Sequence, residues 1–112
     1  MNVATPIKLS ELSTRIRDTL NIGFGNQLFW VFADITNYSF KPDKNYHYFE
    51  LVEKGDVGMV TRINAAAWGE GHLHIRQFEK STGQQFTNGI HVLINVTVEY
   101  HILHGLKIGR AS

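Results

Sequence analysis

An all-β core with flanking helices, closed as a five-stranded barrel, is the fold class that the sequence predicts. Three observations predict it. From Leu28 onward, apolar residues recur at every second position in successive segments, the period of a strand. Two segments repeat instead at three and four residues, one before the first strand and one after the third. The composition is that of one globular domain: 112 residues, 43% hydrophobic, 19% charged, with 10 glycines and 2 prolines. Such a chain buries a core without disulfides or metals and is too apolar for intrinsic disorder.

The first helix is expected over residues 9–20. Leu9, Leu12, Ile16 and Leu20 share one face, Ser10 is placed to cap the start, and Asn21 and Gly23 end it. Residues 1–26 form this helix and its lead-in, and residues 27–112 the barrel. Phe29, Val31, Ala33 and Ile35 take one parity of the first strand, and Trp30, Phe32, Asp34 and Thr36 the other. Both faces therefore meet something. Asn37 to Asn45 carries Pro42, Asp43 and Lys44, which is turn chemistry. Tyr46 to Glu53 is the second strand, with Phe49 and Leu51 opposite Tyr46, Tyr48 and Glu50. A tight connection around Gly55 makes it antiparallel to the third strand, Met59 to Trp68. Gly69-Glu70-Gly71 breaks that strand, and His72 to Ser81 follows as a helix with Gly83 at its C-terminal position. Val92, Ile94, Val96, Val98 and Tyr100 alternate in the fourth strand, and Gly105 to Ile108 begins a fifth.

This order is that of the OB-fold, a five-stranded Greek-key barrel that commonly binds oligonucleotides. A generic α+β domain with an antiparallel sheet shares it. The segment Val31 to Glu53 adds more specific residues. Ala33-Asp34-Ile35-Thr36-Asn37 stands where one family has Gly-Glu-Ile-Ser-Asn. Asn45-Tyr46-His47-Tyr48-Phe49-Glu50-Leu51-Val52-Glu53 stands where it has Gly-His-x-Tyr-Phe-x-Leu-Lys-Asp. Leu9-Ser10-Glu11-Leu12, Ile63-Asn64-Ala65-Ala66-Ala67-Trp68 and the strand from Gly89 to Tyr100 fall in the same order. On these residues the chain resembles the N-terminal OB-fold domain of the exonuclease VII (exodeoxyribonuclease VII) large subunit, from about Ile7 to Ile108. It departs where Gly-Glu has become Ala33-Asp34 and Gly-His has become Asn45-Tyr46.

The resemblance implies a fragment of a longer, cytoplasmic protein. The parent enzyme cleaves single-stranded DNA from either end into short oligonucleotides without needing a divalent metal. Its nuclease residues and its coiled-coil sites for small subunits lie in later regions. The domain would bind the strand and cleave nothing by itself.

Composition alone sets other bounds. There is no cysteine, which excludes disulfide scaffolds and Cys-based zinc sites and fits a reducing cytosol. No apolar run approaches a membrane span, and no secretory signal layout opens the chain. The net charge is +1, so no global field attracts polyanions. Nucleic-acid binding must then come from a few placed cations and aromatics. Trp30 and Phe32 on the first strand, and Tyr46 and Tyr48 on the second, point outward and are expected to form one stacking platform. Arg62 and Trp68 share the third strand's outward parity, and Lys41 and Lys44 lie in the first connecting loop. Asn37 caps the loop or reads a base edge, and Asp34 is placed to orient Asn37 or an Arg. Arg15, Arg17 and Lys54 read as ordinary surface charges, and Arg76 and Lys80 as solvated helix residues.

No catalytic residue, cofactor or metal is expected. The His72/His74 and His101/His104 pairs lack supporting ligands, and no nucleophile elbow or phosphate loop occurs. The competing reading is a docking or oligomerisation module, its outer aromatics an interface. An RNA-binding OB domain is a third. A frayed last strand would leave a barrel edge open to homodimer formation.

Overall fold

The structure is a computed structural model that describes residues 5–101 and 105–111, with side chains described for 5–100. Helix α1 (Leu9–Phe24) is followed by β1 (Phe29–Lys41), β2 (Tyr46–Lys54) and β3 (Met59–Ala67). Helix α2 (Glu70–Thr82), β4 (His91–His101) and β5 (Gly105–Ala111) complete the order. The strands close as β1-β2-β3-β5-β4. The architecture is consistent with an OB-fold. Among the described residues no helix is long and apolar enough to cross a membrane.

β1 is long because it serves two neighbours in succession. Phe29 to Asp34 pair with β4, and Asp34 to Lys41 pair with β2. A β-bulge lies between Thr36 and Ser39, and Asn37 adopts a left-handed φ of 48° there. Asn tolerates this conformation better than most side chains. The extra residue reverses the alternation: Tyr38 and Phe40 turn inward, where an unbroken strand would turn them out. The expected loop of residues 37–45 is thus mostly strand, and the turn proper is confined to Pro42 through Asn45.

β2 and β3 form the antiparallel hairpin read from the sequence, closed by a Gly55 N–H to Gly58 carbonyl bond of 2.9 Å. β4 returns antiparallel to β1, and Ile35 and Ile90 are bonded at their junction (2.9 Å). β5 pairs antiparallel with β4 and parallel with β3 through Ala65 and Ile108. The strand whose open edge the sequence offered for dimerisation therefore has a neighbour on each side.

The core holds Ala33, Ile35, Phe49, Leu51, Ala65, Ala67, Val92, Ile94 and Val96 from the strands. Ile75 of α2 and Phe86 of the following loop join it, so α2, which connects β3 to β4, packs against the barrel beside β3 and β5. α2 starts at Glu70, two residues before the expected His72, and ends on a left-handed Gly83 (φ 70°) as the sequence indicates.

α1 departs further from expectation. It runs four residues beyond Leu20, its N-cap is Lys8, and Ser10 lies inside it without capping. The stripe of Leu9, Leu12, Ile16 and Leu20 does not enter the core. Leu9 and Leu12 are exposed, and Ser13 is the helix's one buried residue, its Oγ 3.4 Å from the Tyr100 hydroxyl of β4. Helical spacing reports that one face is apolar; it does not report what covers that face.

Candidate nucleic-acid interface

Strand register builds an outer sheet face row by row. Lys41 of β1 lies opposite Tyr46 of β2, whose ring stacks on Trp68 just beyond β3. In the next row Ser39, Tyr48 and Ala66 align. Then come Thr36, Glu50 and Asn64, and after them Asp34, Val52 and Arg62. Continuing along β1, Phe32 lies opposite Leu93 and Trp30 opposite Asn95 of β4.

The first two rows carry a flat aromatic cluster. The Tyr46 and Trp68 rings are 3° from parallel with centroids 5.3 Å apart, and Tyr48 packs against Tyr46 at 4.5 Å. Tyr48 and Trp68 are 41% and 39% exposed, enough to offer a face while their edges are held. Ala66, opposite Tyr48, is fully buried, so the rings cover the strand there. Lys41 and Lys44 are exposed at the end of β1 and in the turn that follows it. Register and ring contacts thus bring Lys41, Tyr46, Tyr48 and Trp68 together, and Lys44 lies in the turn after Lys41.

Arg62 and Asn37 are joined by a residue the sequence reading left without a role. Glu50 sits at the centre of the face. Its Oε1 accepts hydrogen bonds from the Thr36 hydroxyl (3.2 Å) and the Asn37 side-chain amide, and its Oε2 lies 3.5 Å from Arg62 Nε. Asn37 therefore neither caps its loop nor points free; it is tied to the sheet. Asp34, assigned in the sequence to orient Asn37 or an Arg, instead bonds His91 Nδ1 at 2.8 Å. The signal for Glu50 was its shared parity with Tyr46 and Tyr48.

Trp30 and Phe32 do not join this cluster. They are 65% and 68% exposed, uncovered by α1, and lie across the polar rows from Tyr48. The single platform expected from the sequence is thus two separate patches.

Behind the face lies a buried chain that the sequence reading missed. His47 has no exposed surface. Its Nδ1 is 2.7 Å from the Tyr38 hydroxyl and its Nε2 is 2.8 Å from His72 Nδ1. Phe40 stacks on His47 at 4.5 Å, and the Arg76 guanidinium sits 5.0 Å above the Phe40 ring centroid. Arg76 is consequently a packing residue as well as a solvated one, and it pairs with Glu79 at 2.6 Å. Burial, helped by His72 and Arg76, lowers the His47 pKa to about 4. Burial also raises that of Tyr38. Burial pushes the Glu79 carboxyl up, but the Phe86 N–H (2.9 Å) and Arg76 together hold it below its ordinary value. His72 thus pairs with His47, not His74. No group of three metal-ligating side chains occurs among the described residues, and the His101/His104 pair lies outside the described side chains.

A cleft of ≈ 340 Å³ opens beside Trp68, with Glu70 and Glu99 among its lining residues. Two carboxylates there disfavour a phosphate path through it. The open sheet face, flanked by Lys41, Lys44 and Arg62, is the better suited surface.

A family model described as the OB-fold nucleic acid binding domain matches residues 7–109. No curated protein matches the chain.

Proposed function

The chain belongs to the family of OB-fold nucleic acid binding domains, and from that premise we propose that it binds single-stranded DNA as the strand-presenting domain of an exodeoxyribonuclease VII large subunit. In this reading the fold is the five-stranded Greek-key form, the setting is the cytoplasm, and the chain itself hydrolyses nothing. Cleavage and small-subunit binding belong to other regions of the parent protein. The motifs from Leu9 to Tyr100 support the assignment.

The observation that carries the reading is the parallel Tyr46–Trp68 pair with Tyr48 beside it on the outer face of β2 and β3. Aromatic faces stack any base, so they suit a strand-feeding domain that must accept every sequence. Phosphates would meet Lys41, Lys44 and Arg62. Glu50 lies 3.5 Å from Arg62 Nε, which leaves the guanidinium's other donors available to a phosphate.

Fluorescence anisotropy of a labelled single-stranded oligonucleotide tests this. Wild type is expected to bind, and Tyr48→Ala to weaken binding by roughly 1–3 kcal/mol, the range for one stacked base. With about three phosphate contacts, log affinity should fall against log salt with a slope near −2, and Arg62→Ala should reduce that slope by about 0.7. Equal affinity of Tyr48→Ala and wild type would remove the platform from the site. Tighter binding of RNA than of DNA of the same sequence would favour the RNA reading instead.

A further inference from the structure

The second aromatic patch is unexplained by the site above. Trp30 and Phe32 project from the β4-paired half of β1, with Leu93 opposite Phe32. The His91 ring lies 4° from parallel to that of Phe32, centroids 6.0 Å apart. We propose that this patch is a second base-stacking station, occupied by the same single strand after it leaves Tyr46, Tyr48 and Trp68 and crosses the outer face along β1. The inference rests on the single-strand reading and extends it.

Continuity carries the argument. The two patches lie on the outer side of β1, separated by the Thr36–Glu50–Asn64 row and by the Asp34–Val52–Arg62 row, in which Val52 is buried beneath its neighbours. From Ser39, which faces Tyr48, back to Phe32 is about 20 Å at roughly 3.3 Å per strand residue. That is a span of a few nucleotides, consistent with OB-fold sites of about 4–16 nucleotides.

Charge along the crossing permits it. Both acids in the path are engaged: Glu50 by Thr36, Asn37 and Arg62, and Asp34 by His91. Arg62 offsets the charge of Glu50, and His91 of β4 holds the Asp34 carboxylate toward that strand, so a strand crosses here with its bases on the sheet and its phosphates turned to solvent. The groups at the far end are flat rings with exposed faces, which is what a base needs.

The sequence contains two tryptophans, one at each station. Trp30→Phe leaves Trp68 as the indole reporter, and Trp68→Phe leaves Trp30, while both variants keep an aromatic ring. Each is titrated with oligothymidylates of about 4 and about 12 nucleotides, both within the OB-fold range. The short strand is expected to quench Trp68 and leave Trp30 unchanged; the long strand quenches both. Trp30→Ala should weaken binding of the long strand about fivefold or more and leave that of the short strand unaltered. If the long strand quenches Trp68 while Trp30 stays silent, the second station is overturned and the first stands. If neither indole responds to either strand, the single-strand reading falls and takes this one with it. If Trp30→Ala abolishes self-association in sedimentation and leaves long-strand affinity intact, the patch is a protein interface and the proposal is overturned.

Discussion

Acidification from pH 6.5 to pH 4 is expected to remove roughly 3 kcal/mol of folding stability through His47 alone. Its pKa falls from 6.5 in the unfolded chain to about 4 in the fold, and each unit of difference corresponds to about 1.4 kcal/mol. The sign follows from which state takes up the proton. Above pH 6.5 both states hold a neutral imidazole and the stability is fully present. Between 6.5 and about 4 the unfolded chain binds the proton first, so stability falls as pH falls. Below about 4 the folded state is protonated too and this contribution levels off. Glu79 acts in the same direction at the acid end. Its folded pKa is depressed, so the stability it gives above the ordinary carboxylate range is lost as pH falls through the folded value.

The groups facing His47 explain why it resists a proton. Tyr38 and His72 occupy its two ring nitrogens, Phe40 covers its face, and the Arg76 cation lies just beyond. A neutral imidazole has one donor and one acceptor, enough for both neighbours. Urea unfolding followed by circular dichroism across this pH range checks the expectation. His47→Gln should flatten the profile between pH 6.5 and 4 relative to wild type. An identical slope in both proteins would assign the acid sensitivity elsewhere.

Phe49→Ala should cost about 3–5 kcal/mol, the range for deleting a buried aromatic ring. Phe49 is 3% exposed at the middle of β2 and meets Phe86 edge to face at 5.1 Å. Phe86 in turn meets Tyr38 at 5.6 Å and Phe78 at 6.3 Å, so the ring joins strand, loop and helix. Against a typical domain stability of about 5–15 kcal/mol, the loss is large enough to lower the denaturation midpoint severely. Phe49→Leu, which keeps most of the volume, should be much milder. The neighbouring Tyr48→Ala supplies the contrast. It lies on the opposite face, so it should weaken nucleic-acid binding with little change in unfolding midpoint. Comparable stability of Phe49→Ala and Tyr48→Ala would contradict the assignment of faces.

Much of this was legible because strand alternation is a strict signal. The parity of Phe49 and Leu51 against Tyr46 and Tyr48 is enough to sort core from outer face. The same alternation along residues 62–68 put Arg62 and Trp68 on one face of β3, though three rows apart. The bulge was not legible. An Asn at left-handed φ reverses the parity of Tyr38 and Phe40, and period-two reading cannot see an inserted residue. That reversal is what turns Tyr38 and Phe40 toward His47, so the buried chain was hidden along with it. Glu50 was visible as an outward acid, but its role depends on three partners from β1 and β3, which only pairing register brings near. The two-patch division was missed because β1 changes neighbour at Asp34, a long-range event with no local mark.

α1 has a thermodynamic consequence of its own. It is a 16-residue helix that packs on β4, with Ser13 beside Tyr100, while its Phe24 meets Phe29 of β1 edge-on at 6.1 Å and Leu9 and Leu12 stay exposed. A helix of that length is marginal in water by itself. Its amides should therefore exchange with solvent through local opening, at a free energy well below global unfolding, while the β1–β4 ladder exchanges only when the barrel melts. Helix and barrel are two cooperative units of unequal depth. A partner that covers Leu9 and Leu12 would slow exchange in the first unit and leave the second untouched.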